Sequence, residues 1–368
     1  MKKVLVFGIT DNPGGVESVI MNYYRNIDRK KIQFDFLCNT EVVAYEDEIK
    51  KLGGTIYRIT ARSKNRKKYK TELDAFFQAH SNEYSTIWVN VCSLANIDYL
   101  KYAKKYGIKN RIIHSHNSQN MDSILRGILH KINKLLIEKY ATDFWSCGEE
   151  AGRWFYNKRI MTGNKYLLVN NAIDAKKFEY NEKIREDYRN QMGLNDKVVF
   201  GSIGRFHFQK NQTFVIKVFN EILKEKKNAV LLLIGQGEDE EKIKQMVKDL
   251  DIEKNVKFLG IRDDVDKIMQ AMDVLLFPSR FEGLPLVLVE AEASKLLIFA
   301  SDIITKKVKF NNRMIYLSLD KDEKYWCEKV MNNINKIELR KSNISDIDEN
   351  NFNIINETVK IEKYFERD

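Results

Sequence analysis

Apolar residues in this chain follow two alternating rhythms. Short continuous runs at Val4 to Phe7, Gln33 to Leu37, Thr55 to Thr60, Thr86 to Val91, Arg111 to His114 and Asp143 to Cys147 read as strands buried on both faces, and Leu167 to Asp174 as a last strand and turn. Between them apolar side chains return at helical spacing, as at Val16, Val19, Ile20, Tyr23, Tyr24 and Ile27. Such alternation predicts the α/β class: a parallel sheet with helices on both faces. A long amphipathic helix carrying Ile124, Leu125, Ile128, Leu129, Ile132, Leu135, Leu136 and Tyr140 on one face is expected to turn that face to the core. The polar stretch Lys176 to Lys197 reads as a linker. After it the pattern restarts with strands at Val198 to Gly204, Ala229 to Ile234, Val256 to Gly260, Val274 to Phe277 and Leu296 to Ala300. Beyond Asp302 the pattern thins: Tyr325, Trp326, Val330, Ile334 and Ile337 suggest packing helices, and Lys341 to Asn351 a polar surface segment. Two domains are expected, at 1–178 and 179–351.

The stretch DVLLFPSRFEGLPLVLVEAEASKLLIFASD, Asp273 to Asp302, is the most informative. It reads as strand, turn, short helix, strand. Gly283 frees the turn and Pro285 suits the first helical position. The helix start then offers the amides of Gly283 and Leu284, and the positive end of its dipole, to an anion at the carboxyl edge of a parallel sheet. Glu282 precedes the turn and Glu290 lies just over a turn into the helix. Carboxylates would repel a phosphate, so both read as acceptors for sugar hydroxyls.

Three further loops carry candidate chemistry. After the strand ending at Gly204, Arg205 and Lys210 offer a planar fork of donors and a point charge to phosphate oxygens. After the first strand, Gly14 and Gly15 precede a helix, which is either an anion seat or simply a tight turn; no dinucleotide fingerprint or P-loop is present. His114 and His116 end the fifth strand, where open α/β sheets place their ligands. A satisfied core residue is the ordinary reading for His114, while His116 lies nearer the mouth; no third ligand accompanies them, so no metal is expected. Gly235-Gln236-Gly237 lacks a third glycine, and no nicotinamide site is read there. Residues 58–70 hold seven cations in thirteen positions. They are either a solvated loop or a docking surface for an anionic membrane, with Tyr69, Phe76 and Phe77 as anchors.

Composition narrows the picture only a little. The 368 residues exceed one ordinary core, and 62 Lys and Arg against 52 Asp and Glu leave +10, which favours anionic partners without choosing among nucleotide diphosphates, acidic lipid and nucleic acid. Four scattered cysteines argue against zinc and disulfide frameworks, and no run approaches a membrane span. MKKVLVFGIT reads as a first strand rather than a signal, and a cytoplasmic protein is expected. Aromatics and cations interleave in only one short stretch, so nucleic acid is not the expected partner.

PSRFEGLPLVLVEAEAS, with Glu, seven residues and Glu, resembles the donor-site motif of glycosyltransferase family 4, retaining nucleotide-sugar enzymes of the GT-B fold. The resemblance extends to Gly204-Arg205 with Lys210, and to RIIHSHN, which is similar to a capsule- and exopolysaccharide-assembling branch. It implies two Rossmann-like α/β/α domains whose parallel sheets face each other across a cleft, with a terminal helix at about 352–368 returning to the first domain. Glu290 would bind ribose and Glu282 the transferred sugar; Arg205 and Lys210 would hold the diphosphate and Ile261 would pass beside the base. Gly14 and Gly15 would face donor phosphates and His116 would reach the donor sugar. The donor would be a nucleotide-diphosphate sugar, most plausibly with UDP, used without cofactor or metal. The acceptor would be a lipid-linked sugar or oligosaccharide, met by a protein peripheral to the inner membrane face. Where that family often follows the helix with Gly-x-Pro, this chain has Lys295-Leu296-Leu297, and a less tightly turned backbone is expected.

Overall fold

A computed structural model describes residues 1–118, 123–341 and 344–367; Ser342 and Asn343 of the expected polar segment and Asp368 of the expected terminal helix lie outside the described residues. The chain divides into two compact units, Met1–Ala172 together with the chain from Asn353 onward, and Ile173–Phe352.

In the first unit, seven strands form one parallel sheet: β1 Lys2–Phe7, β2 Ile32–Cys38, β3 Ile56–Arg58, β4 Thr86–Val91, β5 Asn110–Ser115, β6 Asp143–Ser146 and β7 Tyr166–Leu168, in the order β3-β2-β1-β4-β5-β6-β7. Strand alternation sends Leu5, Leu37, Ile87, Val89 and Ile113 to one face, where Tyr69, Leu73 and Phe77 of the helix Arg66–His80 cover them. Trp88 and Trp145 go to the other, meeting Phe365 of the terminal helix Ile354–Phe365 at 5.8 and 5.7 Å between ring centroids. The last helix thus closes the first unit's sheet although the second unit precedes it in sequence.

The second unit has six parallel strands: β8 Val198–Ile203, β9 Ala229–Ile234, β10 Val256–Gly260, β11 Val274–Phe277, β12 Leu297–Ser301 and β13 Met314–Leu317, in the order β10-β9-β8-β11-β12-β13. Both sheets reverse direction of growth beside their first strand, between β1 and β4 and between β8 and β11. Loops leaving those strands diverge and open a crevice at the carboxyl edge.

Four expectations are corrected. Residues 176–197 are no linker: Ala175–Phe178 and Glu182–Met192 are helices of the second unit. The boundary moves from 178 to 172 because the Phe178 carbonyl accepts from Ser294 Oγ (2.9 Å) and Gln270 Nε2 (3.2 Å). The helix Glu182–Met192 is polar yet anchored, since Arg185 and Arg189 both reach the buried Asp273 carboxylate, which also accepts from the Val199 amide at 2.7 Å. Second, the backbone after Ala293 is tightly turned. Lys295 takes φ +52°, the Leu296 amide bonds back to the Ala291 carbonyl, and Lys295 Nζ pairs with Asp346 at 2.9 Å. Third, Tyr69, Phe76 and Phe77 are buried and anchor no membrane. Fourth, the helix Ile124–Tyr140 turns its apolar face outward.

Asp273 ties two arginines to a strand end, so Asp273→Ala should leave two cations unpaired and cost about 3–5 kcal/mol. Urea denaturation should show that loss in the midpoint; a cost under about 1 kcal/mol would mean that the helix Glu182–Met192 is held by other contacts.

Candidate active site

The crevice of the second unit is built by the loops after β8 and β11. Gly204, at φ +143°, ends β8, and a Cβ on Gly235 at the end of β9 would lie 2.1 Å from the Gly204 carbonyl oxygen. Only glycine lets the two strand ends approach this closely and turn the β8 loop over the sheet edge. That loop carries Arg205, Gln209 and Lys210. It is fastened to the β11 loop by the Arg280 amide on the Gln209 carbonyl (2.8 Å) and by Asn211 Nδ2 on the Pro278 carbonyl (3.2 Å).

These fastenings bring Lys210 and Glu282 together. Lys210 Nζ donates to Glu282 Oε1 at 2.7 Å and lies 5.1 Å from the Phe277 ring centroid, while Gln209 Nε2 donates to Glu282 Oε2 (3.3 Å) and to the Phe281 carbonyl (2.8 Å). The ammonium has three donors, so bonding Glu282 leaves it capacity for an oxyanion. Arg205 reaches outward: its Nη2 donates to Glu238 Oε2 at 2.9 Å, and both side chains are more than half exposed. Such a pair is worth about 0–1 kcal/mol and yields readily to a better anion.

The helix Leu286–Ala293 starts beside these groups. Pro285 is its N-cap rather than its first helical residue, no side chain caps it, and its first turn carries no acid. Gly283 and Leu284 precede it, both buried, and Gly283 is not among the glycines with positive φ, so the turn does not depend on a left-handed glycine there. The Glu290 carboxyl group accepts no hydrogen bond from any described residue, although its backbone carbonyl takes the Ser294 amide at 2.9 Å. Desolvation pushes its carboxyl up to about 7 although part of its surface stays exposed, with Lys177 opposing the shift and Asp266 adding to it. A partly buried carboxylate without donors is a prepared acceptor for hydroxyl groups. Ile261 follows β10 at the same sheet edge and is exposed, and Arg262 beside it is held by Asp264 at 2.7 and 2.8 Å.

The first unit holds the other candidates. His116 follows β5; its Nε2 lies 2.9 Å from Asn90 Oδ1, and its buried Nδ1 has no partner among the described residues. Burial lowers its pKa to about 3, so the imidazole is neutral, with Nε2–H donating to Asn90 and an Nδ1 lone pair available. His114 is wholly buried against Trp88 and Trp145, a core residue. Gly14 caps the helix Gly15–Asn26, whose first turn carries Glu17. The Glu17 side chain accepts from Thr10 Oγ1 (2.5 Å), and a Cβ on Gly14 would lie 2.9 Å from its Oε2, while the Gly14 amide donates to the Asn12 carbonyl at 2.8 Å; burial raises the Glu17 pKa above the usual carboxyl value. Gly15 has open space around it and is the more accessible glycine. Sequence reading missed Gln209, Asn211, Asn90 and Glu17. Gln209 and Asn211 flank Lys210, and Asn90 ends the strand beside β1, so position relative to the motifs was their only signal. Among the described residues no cluster of three or more His, Cys, Asp or Glu could hold a metal ion.

The family model for glycosyl transferases group 1 matches residues 184–310, which contain Arg205, Lys210, Glu282 and Glu290. EpsF of Bacillus subtilis (strain 168), named a glycosyltransferase, is 30% identical over 336 residues, covering 87% of this chain and 84% of that protein. The capsular polysaccharide biosynthesis glycosyltransferase CapH of Staphylococcus aureus is 24% identical over 99% of both chains. Among solved structures, Anabaena HepE in complex with UDP and glucose superposes with a TM-score of 0.80 over 99% of both chains at 16% identity, a likeness of fold. The chain, with its two parallel α/β units, belongs to the glycosyl transferases of group 1 and is a glycosyltransferase of the GT-B fold.

Proposed function

We propose that this glycosyltransferase moves a sugar, with retention of configuration, from a nucleotide-diphosphate sugar to a lipid-linked or oligosaccharide acceptor during assembly of a bacterial surface polysaccharide. The observation that carries the proposal is the grouping, at one sheet edge, of Lys210, Arg205 and an uncapped helix start with two carboxylates. Cations and helix dipole match a diphosphate, and carboxylates match sugar hydroxyls. UDP is the favoured nucleotide, which the UDP-bound HepE structure supports, and CapH supports the polysaccharide setting.

In this reading Glu290 accepts the ribose hydroxyls and Ile261 lies along the base. Glu282 accepts a hydroxyl of the transferred sugar and keeps Lys210 aimed at the diphosphate. As the glycosidic bond breaks, charge grows on the leaving phosphate; Lys210, Arg205 and the positive end of the helix Leu286–Ala293, which Gly283 and Leu284 lead into, would meet it without a metal. The departing phosphate takes the acceptor's proton on the same face, which gives retention. The neutral imidazole of His116 accepts a hydrogen bond from a sugar hydroxyl through Nδ1, and Gly15 lets the donor approach the first unit's loop.

Two outcomes test these roles. By isothermal titration, Glu290→Ala should weaken UDP binding about tenfold, the worth of one charge-assisted hydrogen bond. Glu282→Ala should leave UDP affinity within about threefold while lowering turnover of the donor about a hundredfold; the reverse pattern would exchange the two roles. Glu290 also sets a pH dependence. Its folded value, about 7, lies above the ordinary 4.5, so the folded state holds the extra proton between them, and its contribution to stability is lost as pH rises through that window. Glu290→Gln should therefore stabilise the nucleotide-free protein by on the order of 1–3 kcal/mol at pH 8 and hardly at all at pH 4.5. Thermal melts at the two pH values would expose an error as an equal effect at both.

A further inference from the structure

The helix Ile124–Tyr140 is built the wrong way round for a helix on a sheet. Its buried residues are His130, Asn133 and Ile137, and the first two are held by polar bonds: His130 Nδ1 accepts from the Leu94 amide (3.0 Å), and Asn133 Nδ2 donates to the Leu94 carbonyl (2.7 Å). Lys134 Nζ adds a bond to the Trp154 carbonyl at 2.8 Å. Opposite them, at the spacing that places side chains on one helical stripe, Ile124, Leu125 and Leu135 stand 84%, 73% and 85% exposed, with Ile128, Leu129, Ile132 and Leu136 exposed between them. Together these expose on the order of 800 Å² of largely apolar surface, beyond the few hundred that a soluble monomer ordinarily shows in one patch.

The charges around this stripe say what covers it. Arg126, Lys131 and Lys139 are exposed along its edges, and Lys104 Nζ bonds the Lys139 carbonyl at 2.8 Å, bringing another cation to the helix end. The helix's own acid, Glu138, is paired with Arg159. A second copy facing this stripe would set like-charged edges against each other, whereas an anionic lipid surface pairs with them. No helix of the described residues is long and apolar enough to cross a membrane. We infer that the helix Ile124–Tyr140 is an interfacial docking element that lies in the plane of an anionic bilayer, its apolar stripe among the acyl chains and its cations at the headgroups. The basic segment at 58–70 is the weaker candidate for that contact. Arg58, Arg62, Lys64 and Lys68 pair with Glu46, Asp98, Glu41 and Glu72, and its aromatic neighbours are buried.

Co-sedimentation of the full chain with phosphatidylcholine vesicles, with and without phosphatidylglycerol, tests this without using turnover, so its failure would leave the nucleotide site untouched. Wild-type protein should pellet with the anionic vesicles and at least about tenfold less with neutral ones. The I124Q/L125Q/L135Q variant, altered only at exposed positions and checked by circular dichroism, should lose about tenfold or more. R66E/K67E/K70E should stay within about threefold of wild type. The inference falls if the glutamine variant binds like wild type, if only the charge-reversed variant loses binding, or if wild type stays in the supernatant. It falls equally if light scattering finds a dimer that the glutamine variant dissociates.

Discussion

The Lys210–Glu282 ion pair is the interaction on which the second unit's crevice depends. Its 2.7 Å contact neutralises both charges while leaving donors on the ammonium. The pair exists because β8 and β11 are neighbours in a parallel sheet although β9 and β10 intervene in sequence, so that loops 72 positions apart leave the same edge side by side. Gly204 and Gly235 permit the close strand ends, Arg280 and Asn211 tie the loops together, and Gln209 fixes the carboxylate from its other side.

The pKa-shifted groups fit the same logic. Glu290 is held without donors at a cost in stability, which makes sense where a ligand supplies the missing hydrogen bonds. Glu17 is likewise raised by burial, but the chain itself supplies it with a hydrogen bond from Thr10 Oγ1. His116 is kept neutral by burial and oriented by Asn90, giving a fixed acceptor rather than a charge.

Much of this was legible in the sequence. Buried parallel strands carry continuous apolar runs, so β4, β9, β10 and β11 matched the runs residue for residue, and the strand–loop–helix motifs lay where ligand-binding loops leave a sheet. What escaped has physical reasons. β13 is a four-residue edge strand with two half-exposed members, too short to stand out. The helix Glu182–Met192 reads as a linker because it binds through arginines rather than an apolar face. Periodicity located the stripe of Ile124–Tyr140 but could not say which way it faces, since polar side chains anchor the opposite side. Lys295 adopts a left-handed turn that sequence assigns to glycine because its ammonium finds Asp346.

The proposed grip of the second unit on a nucleotide's diphosphate rests on Lys210 and Arg205. Titrating wild type and Lys210→Gln with UDP and with uridine separates that grip from recognition of base and ribose. The account predicts that the substitution weakens UDP by about tenfold or more and leaves uridine unchanged, with the UDP advantage shrinking as salt is raised. Equal losses for both ligands, or undiminished UDP binding by the variant, would contradict it.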